Sequence, residues 1–528
     1  MSQGTFQTQA SVDEGTSSGH FDFIVCGAGT AGSVVAGRLA ENLEVRVLLI
    51  EAGGDDEVPD VLQPGNWPLN LGSERDWGFI GASNPHVNDR RIPLNMGRVL
   101  GGGSSINVMV WARGHKNDWE DFAEESGNPA WGYKSVLGIY RRIEDYRGEP
   151  DPKRRGLGGP VHVGPAHNAQ PIANAMISAA REIGIPTFDN PNGEMMEGRG
   201  GAAINDLIVK DGRRHSIYRA YVHPRRGQRN LTVLPNSLVS RLVFEGKRVI
   251  GVEAVCGGRV RRFTAEHEVV LSLGAVNTPK VLMQSGIGPE DVLRPHGISM
   301  VQHLPGVGEN HQDHVSFAVI FEYENPQPVG YGGSEATLYW TSDSSLHLPD
   351  MFHCQVEFPV PSAENAALGV PTHGWTMFAG LAHPKSRGRV TISGPKATDA
   401  PIIQPNTLSH PDDVRSALEN IRLVQDLGTR QPFRGLVKRE CLPGQMDAKA
   451  IQNYARNAAV TYWHQSCTAK MGRDEMSVVD GSLRVYGVQG LRIADASILP
   501  HVTSGNTMAP CVVIGERAVE EIRATYRI

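Results

Sequence analysis

Phe21-Asp22-Phe23-Ile24-Val25-Cys26-Gly27-Ala28-Gly29-Thr30-Ala31-Gly32, with Val45-Arg46-Val47-Leu48-Leu49-Ile50-Glu51 a short way on, combines an apolar run, a tight glycine turn, a helical segment and a second β-branched run. That spacing predicts a strand over 21–26, a helix over 33–41 and a strand over 45–51, the βαβ unit of a doubly wound sheet. In such a unit Gly27 permits the tight turn, Gly29 lets a ligand's pyrophosphate approach the backbone, and Gly32 lets helix and strand pack closely. Thr30 and Ala31 open the helix, whose free N–H groups and positive dipole end suit phosphate. Glu51, 19 residues after Gly32, stands where an acid accepts hydrogen bonds from a ribose 2′-OH and repels a 2′-phosphate, which speaks against NADP. The turn alone separates neither NAD from FAD nor either of them from a ligand-free glycine turn.

A second glycine cluster bears on that choice. Gly97-Arg98-Val99-Leu100-Gly101-Gly102-Gly103-Ser104-Ser105-Ile106-Asn107 strips side chains from a backbone stretch, which suits a flat ring or a diphosphate and also suits a hinge. Arg98, Gly103 and Asn107 are its candidate contacts, and a helix is expected to follow it through Trp119 to Glu124. Further on, alternation over 230–242 and 249–255 about Glu245-Gly246-Lys247 reads as a hairpin. Strand 268–273 and helix 278–284 follow. The texture changes over 314–457, where Pro-punctuated strands such as 350–358 and 389–393 appear.

The expected fold class is α/β: a Rossmann-type dinucleotide-binding domain with an inserted α+β substrate domain carrying an antiparallel sheet, the dinucleotide being FAD on the family resemblance described below. Residues 1–20 read as a disordered tail. Segments 21–156, 201–313 and 458–528 form the discontinuous FAD-binding domain, and 157–200 with 314–457 the substrate-binding domain.

Bulk composition narrows the function classes. The chain has 528 residues, 40% hydrophobic and 20% charged, as in ordinary soluble proteins, and is long enough for two cores. A net charge of −6 and a pI near 6.3 speak against a nucleic-acid partner, which needs clustered Lys and Arg. Six scattered cysteines without C-x-x-C spacing suggest neither a disulfide framework nor a metal site. A reducing, cytoplasmic location is expected. No 18-residue apolar run implies a membrane span, and the start lacks a secretory pattern.

Over nearly its whole length the sequence resembles the glucose-methanol-choline (GMC) family of FAD-dependent oxidoreductases. The matching segments are the N-terminal βαβ, Gly97 to Trp119, Gly274 to Gly288, Leu304 to Asn310 with Asp313-His314, and the C-terminal run from His464 through Met471-Gly472, Asp495-Ala496-Ser497 and Gly505-Asn506-Thr507. The resemblance implies FAD as cofactor and a sheet roofing the flavin. Carried over by motif, Glu51 meets the adenosine ribose, Asn107, Val108, Met109 and Val110 run beside the flavin, and Val239 offers backbone contacts to adenine. Asp495 and Ala496 approach the diphosphate; Trp463 and Thr507 also fall at cofactor positions. Members with covalent FAD resemble Ser-x-His-Asn where this chain has Ser104-Ser105-Ile106-Asn107, so non-covalent FAD is expected.

Oxidising an alcohol removes the O–H proton and moves the α-hydrogen as hydride, so a base must stand beside the flavin, and histidine suits neutral pH. Of 19 histidines the family position selects His464, within Tyr462-Trp463-His464, where burial favours the neutral ring. Asn506 matches the second family position and holds the substrate oxygen, or is simply a helix N-cap. His311, His314 and His501 read as structural hydrogen-bonders, and Cys467 lacks an orienting partner for a nucleophile. The helix after Thr507, with Pro510 in its first turn, would aim its N–H groups at the flavin.

The expected function is oxidation of a primary, possibly aromatic, alcohol to the aldehyde, with a small-molecule alcohol and O2 or another electron acceptor as partners. A hydroxynitrile-lyase-type enzyme and a choline-dehydrogenase-like one are the alternatives. Trp340, Phe352, Phe358, Trp375 and Phe378 read as pocket or core, and Glu357 as a cation site or a surface acid. Oligomeric state is left open.

Overall fold

A computed structural model describes residues 17–330 and 333–528. Its first sheet runs, from edge to edge, Leu231–Leu234, Val47–Ile50, Ser17–Cys26, Arg259–Leu271, Arg248–Cys256 and Ser237–Glu245, with Leu491–Ile493 also paired to Arg259–Leu271. The first four are mutually parallel, in a register that sets Val25 beside Leu49 and Val270. All four residues of Val47–Ile50 are buried, which is why an unbroken apolar run forms a central strand. The hairpin about Gly246 is antiparallel. The stretch expected as one strand before it divides, because Leu231–Leu234 leaves to join Val47–Ile50.

Helix Thr30–Leu39 follows the glycine turn and packs on the C-terminal helix Met508–Tyr526. The crossing is close enough that a Cβ on Gly515 would come within 2.6 Å of Val34 Cβ. Strand, glycine turn and both helices share one core, including Val25, Leu49, Val270, Trp111, Trp119 and Ile514.

The second sheet is antiparallel, in the order Val437–Leu442, Val315–Tyr323, Gly374–Leu381, Met351–Val356, Ala336–Trp340 and Gly200–Ile204, and Val460–Thr461 pairs with the start of Val315–Tyr323. Helix Pro411–Gly428 covers it, and Phe317, Leu338, Trp375 and Ile421 lie in its separate core.

Several expectations change. Most of the expected tail lies outside the described residues, but from Ser17 onward the chain is already strand, held by parallel pairing to Arg262 and Thr264. The boundary placed at 201 cuts a strand: Gly200–Ile204 pairs with Ala336–Trp340, so the antiparallel side keeps these residues. The helix expected through Glu124 is three pieces, helix Gly103–Ile106, strand Val110–Trp111 and helix Lys116–Ser126. Val110–Trp111 is drawn into pairing with Asp206–Leu207. Among the described residues no helix is long and apolar enough to cross a membrane, and all six cysteines are free.

A buried ion network braces the strand Val110–Trp111. Glu144, fully buried, accepts from Arg113 Nε at 2.7 Å, Trp111 Nε1 at 2.7 Å and Arg155 Nε at 2.9 Å, and Arg155 Nη1 donates to Asp206 at 2.6 Å. Removing the shared acid leaves the buried Arg113 guanidinium without its carboxylate and Arg155 with Asp206 alone. Glu144→Ala is therefore expected to cost about 3–5 kcal/mol, checked by the thermal midpoint of the purified protein against Glu144→Gln, which retains part of the hydrogen bonding.

Candidate active site

One large cavity runs between the two sheets. Gly27, Gly29, Thr30, Ala31 and Glu51 line one end, and Gly103, Asn107, Val108, Val110, Val239, Asp495, Ala496, Thr507, Trp463, His464 and Asn506 line the rest. Three expected contacts do not reach its wall. Gly32 is spent on packing, since a Cβ there would sit 1.9 Å from Gly27 O. Met109 is fully buried in the first core, its backbone turned to φ 62°. Arg98 lies over the Trp77 ring at 5.3 Å, where its charge acts on Glu51.

The glycine loops form a cradle. Gly27 has φ +97°, and Gly101 N–H donates to Ala28 O at 2.8 Å. A Cβ on Gly102 would meet Gly29 Cα at 2.7 Å, whereas one on Gly29 would have its nearest neighbour 4.0 Å away and one on Gly103 none within 4 Å. The loops thus touch backbone to backbone and leave side-chain space facing the cavity. The first helix and the C-terminal helix both begin at this wall, and neither has a side-chain cap or an acid in its first turn. Two uncapped N-termini opening on one cavity fit an anionic, extended dinucleotide such as FAD. The N-cap of the second is Thr507, so Asn506 is free for another task. Glu51 Oε2 accepts from Ala28 N at 2.9 Å and Oε1 from Gly53 N at 2.8 Å, and burial pushes its carboxyl up to about 7.

At the other end backbone pairing assembles the polar pair. Ser316 faces Val460 and Val315 faces Thr461, but Gln312 faces Ser466, so the 461–466 strand carries two extra residues. Trp463 takes up the bulge with φ 62°, a device common beside active sites. His464 N–H donates to Asp313 Oδ1 at 2.9 Å. Its ring, 8% exposed, places Nδ1 2.8 Å from His314 Nδ1 and Nε2 3.3 Å from Asn506 Nδ2. Tyr339 O–H donates to Asn506 Oδ1 at 3.1 Å, which turns the amide N–H₂ toward His464. Burial, and secondarily the His314 charge, hold the His464 pKa well below the usual imidazole value; burial brings His314 down to about 4. Both rings are neutral at pH 7.

The loop carrying Asn506 is tied from behind. Asp118 accepts from Ser504 N and Ser504 Oγ, both at 2.9 Å, and Thr503 O accepts from His314 Nε2 at 2.8 Å. The family resemblance pointed to His464 and Asn506, which the structure brings together at the cavity; Tyr339 and Asp118 carry no local signal and were not singled out. His314 was read as a structural hydrogen-bonder, although the Asp313-His314 pair was itself a mark of the motif. Cys467 is buried and its thiol pushed up to about 12, which removes the thiolate.

The aromatic candidates divide. Phe352 and Phe378 line the cavity with Tyr462, Cys354, Val356 and Val360. Trp375 stacks between Phe321 and Phe433 in the core, Phe358 lies by Trp67, and Trp340 sits under Arg199. Glu357 is neither exposed nor at the cavity: it is buried against Glu335, and burial raises it to about 8.

Comparisons with known proteins agree in kind. Family models described as GMC oxidoreductase match residues 21–316 and 384–515. An oxygen-dependent choline dehydrogenase of Rhizobium etli is 35% identical over 95% of this chain and 95% of the relative. Pyridoxine 4-oxidase from Mesorbium loti superposes with TM-score 0.91 at 32% identity, covering 96% of this chain and 99% of that one. Formate oxidase from Aspergillus oryzae does so with TM-score 0.87 at 26% identity, covering 97% and 100%.

Proposed function

The chain belongs to the GMC oxidoreductase family, and from that premise we propose that it oxidises a neutral primary alcohol borne on a flat ring to the corresponding aldehyde. As in the family, it is an FAD enzyme acting on CH–OH donors, with the flavin held non-covalently. The parallel sheet and its glycine loops would carry the dinucleotide, and the antiparallel sheet would carry the alcohol. FAD, when bound, supplies the hydride acceptor. His464 Nε2 takes the hydroxyl proton, and Asn506 Nδ2 donates to the alcohol oxygen, orienting it between the two.

A ladder of parallel rings carries the choice of substrate. Tyr339 stacks on Phe352 at 4.8 Å, Phe352 on Tyr462 at 4.6 Å, and Tyr462 on His464 at 6.0 Å, all within 24° of coplanar. A flat ring extends such a stack. A quaternary ammonium is held best by several ring faces around it or by a carboxylate, whereas a stacked ladder offers a ligand only its end face. Among the described residues the carboxylates lining the cavity are Glu51 and Asp495, which adjoin the glycine cradle and the Gly274 turn. Choline, the substrate in the name of the Rhizobium etli relative, therefore meets no carboxylate of the cavity wall near His464, since Asp313, bonded to the His464 N–H, does not line the cavity.

The test is anaerobic mixing of the holoenzyme with benzyl-type alcohols, choline and a cyanohydrin, followed by turnover with O2 and with an artificial acceptor. Flavin bleaching by the aryl carbinol, with kcat/KM at least about 100-fold above that for choline, is expected, the size of about 3 kcal/mol of differential binding. Preference for choline would overturn the substrate reading. Cyanohydrin cleavage with the flavin still oxidised would replace it by the lyase.

A further inference from the structure

We infer that His314 is a positioning residue for this oxidation: its Nδ1 accepts a hydrogen bond from His464 Nδ1–H, and thereby leaves His464 Nε2 without a hydrogen, its lone pair facing the cavity. The inference deepens the proposed reaction and rests on His464 being its base.

The proton assignment follows from what each atom can do. A carbonyl oxygen only accepts, so the 2.8 Å contact of His314 Nε2 with Thr503 O places a hydrogen on Nε2. A neutral imidazole carries one N–H, so His314 Nδ1 is bare. Two Nδ1 atoms 2.8 Å apart must have a hydrogen between them, and it therefore belongs to His464. His464, itself neutral, then has none left for Nε2. The ring is held in this orientation by its own backbone, through Asp313, and by the near-perpendicular approach of the His314 ring at 84°.

Without that acceptor a neutral His464 could carry its hydrogen on Nε2, where it would present a donor to the alcohol and could take no proton. With it, Nε2 would take the alcohol's O–H proton as the α-hydrogen leaves with its electron pair, hydride acceptance being what FAD would supply when bound, and the aldehyde would remain. The imidazolium formed keeps its Nδ1–H on His314, a bond strengthened by the charge. A carboxylate in this place would also fix the tautomer but would raise the basicity of the ring. A neutral histidine fixes it while raising the basicity far less than a carboxylate would, so burial still holds the His464 pKa low. The contact to Thr503 O links this ring to the loop that carries Asn506, so one side chain sets both the base and the position of its partner.

The test compares His314→Asn, whose Oδ1 can replace the Nδ1 acceptor, with His314→Leu, which cannot accept, in FAD-loaded protein. His314→Leu is expected to lose about 30-fold in kcat with little change in KM, within the range found for groups that orient a functional histidine. His314→Asn should recover most of that. The other titratable groups facing the pair, Asp313, Tyr462, Tyr339 and His383, are common to all three proteins. Equal losses in both variants, or a Leu variant within threefold of wild type, would overturn the inference. His464→Ala, run alongside with the same alcohol, separates this outcome from failure of the proposed reaction, which alone requires that variant to be inactive.

Discussion

Replacing His464 by Ala is expected to lower kcat/KM for a competent alcohol by about 10³-fold, the span of a lost general base, while the protein keeps its yellow flavin spectrum. The cavity wall at the glycine cradle is built by other elements, Thr30–Leu39 and the Gly101–Gly103 loop, so loss of the ring leaves that end intact. The wild-type pH profile carries the sign of the assignment. Burial, then the His314 charge, lower the His464 pKa below its ordinary value of 6.5, so the neutral, proton-accepting form fills the folded enzyme through neutral pH. Activity is therefore expected to be flat from above pH 6.5 downward until the lowered pKa is crossed, and to fall only below it. An acid limb centred above 6.5, or a His464→Ala enzyme within tenfold of wild type, would remove His464 from the role of base.

The second large effect is on cofactor binding. Gly29→Leu is expected to weaken FAD by at least about 100-fold, about 3 kcal/mol, with the apoprotein's thermal midpoint little changed. Gly29 has ordinary extended backbone, φ −67° and ψ −167°, and a Cβ there meets nothing closer than 4.0 Å, so the leucine is sterically free in the apoprotein and occupies the cradle. Gly32→Val is the contrasting variant, because its Cβ would sit 1.9 Å from Gly27 O and the fold itself must give. Titration of the apoproteins with FAD, followed by flavin fluorescence, separates the two. Unchanged FAD affinity in Gly29→Leu would mean that the phosphates lie elsewhere.

Motif spacing located the ends of the site far better than its middle. Gly27, Gly29 and Glu51 were legible because a tight turn and a close approach demand residues without side chains at set intervals, and that demand is local. Arg98 was a candidate contact of the second glycine cluster and Met109 was carried over by motif, and neither lines the cavity: Arg98 lies over Trp77 and Met109 is in the core. Phe352 and Trp375 looked alike as buried aromatics in strands. One faces the cavity and the other lies between Phe321 and Phe433, a difference set by strand register, which a single sequence does not state.

By itself, the sequence determined the βαβ unit, its glycine turn and acid, and the family resemblance, which made His464 and Asn506 the candidates, because each depends on neighbours a few residues away or on a motif read in order. Only the tertiary structure decided the chemistry that depends on meetings at long range. His314 and His464 lie 150 residues apart and Tyr339 and Asn506 lie 167 apart, brought together by the antiparallel pairing of Val315–Ser316 with Val460–Thr461 and by the bulge at Trp463. Which nitrogen of His464 is free to accept a proton is settled by a carbonyl on a third segment, Thr503. A hydrogen bond has a direction only once both partners are in place, and that is why the base's working atom was beyond the reach of the sequence.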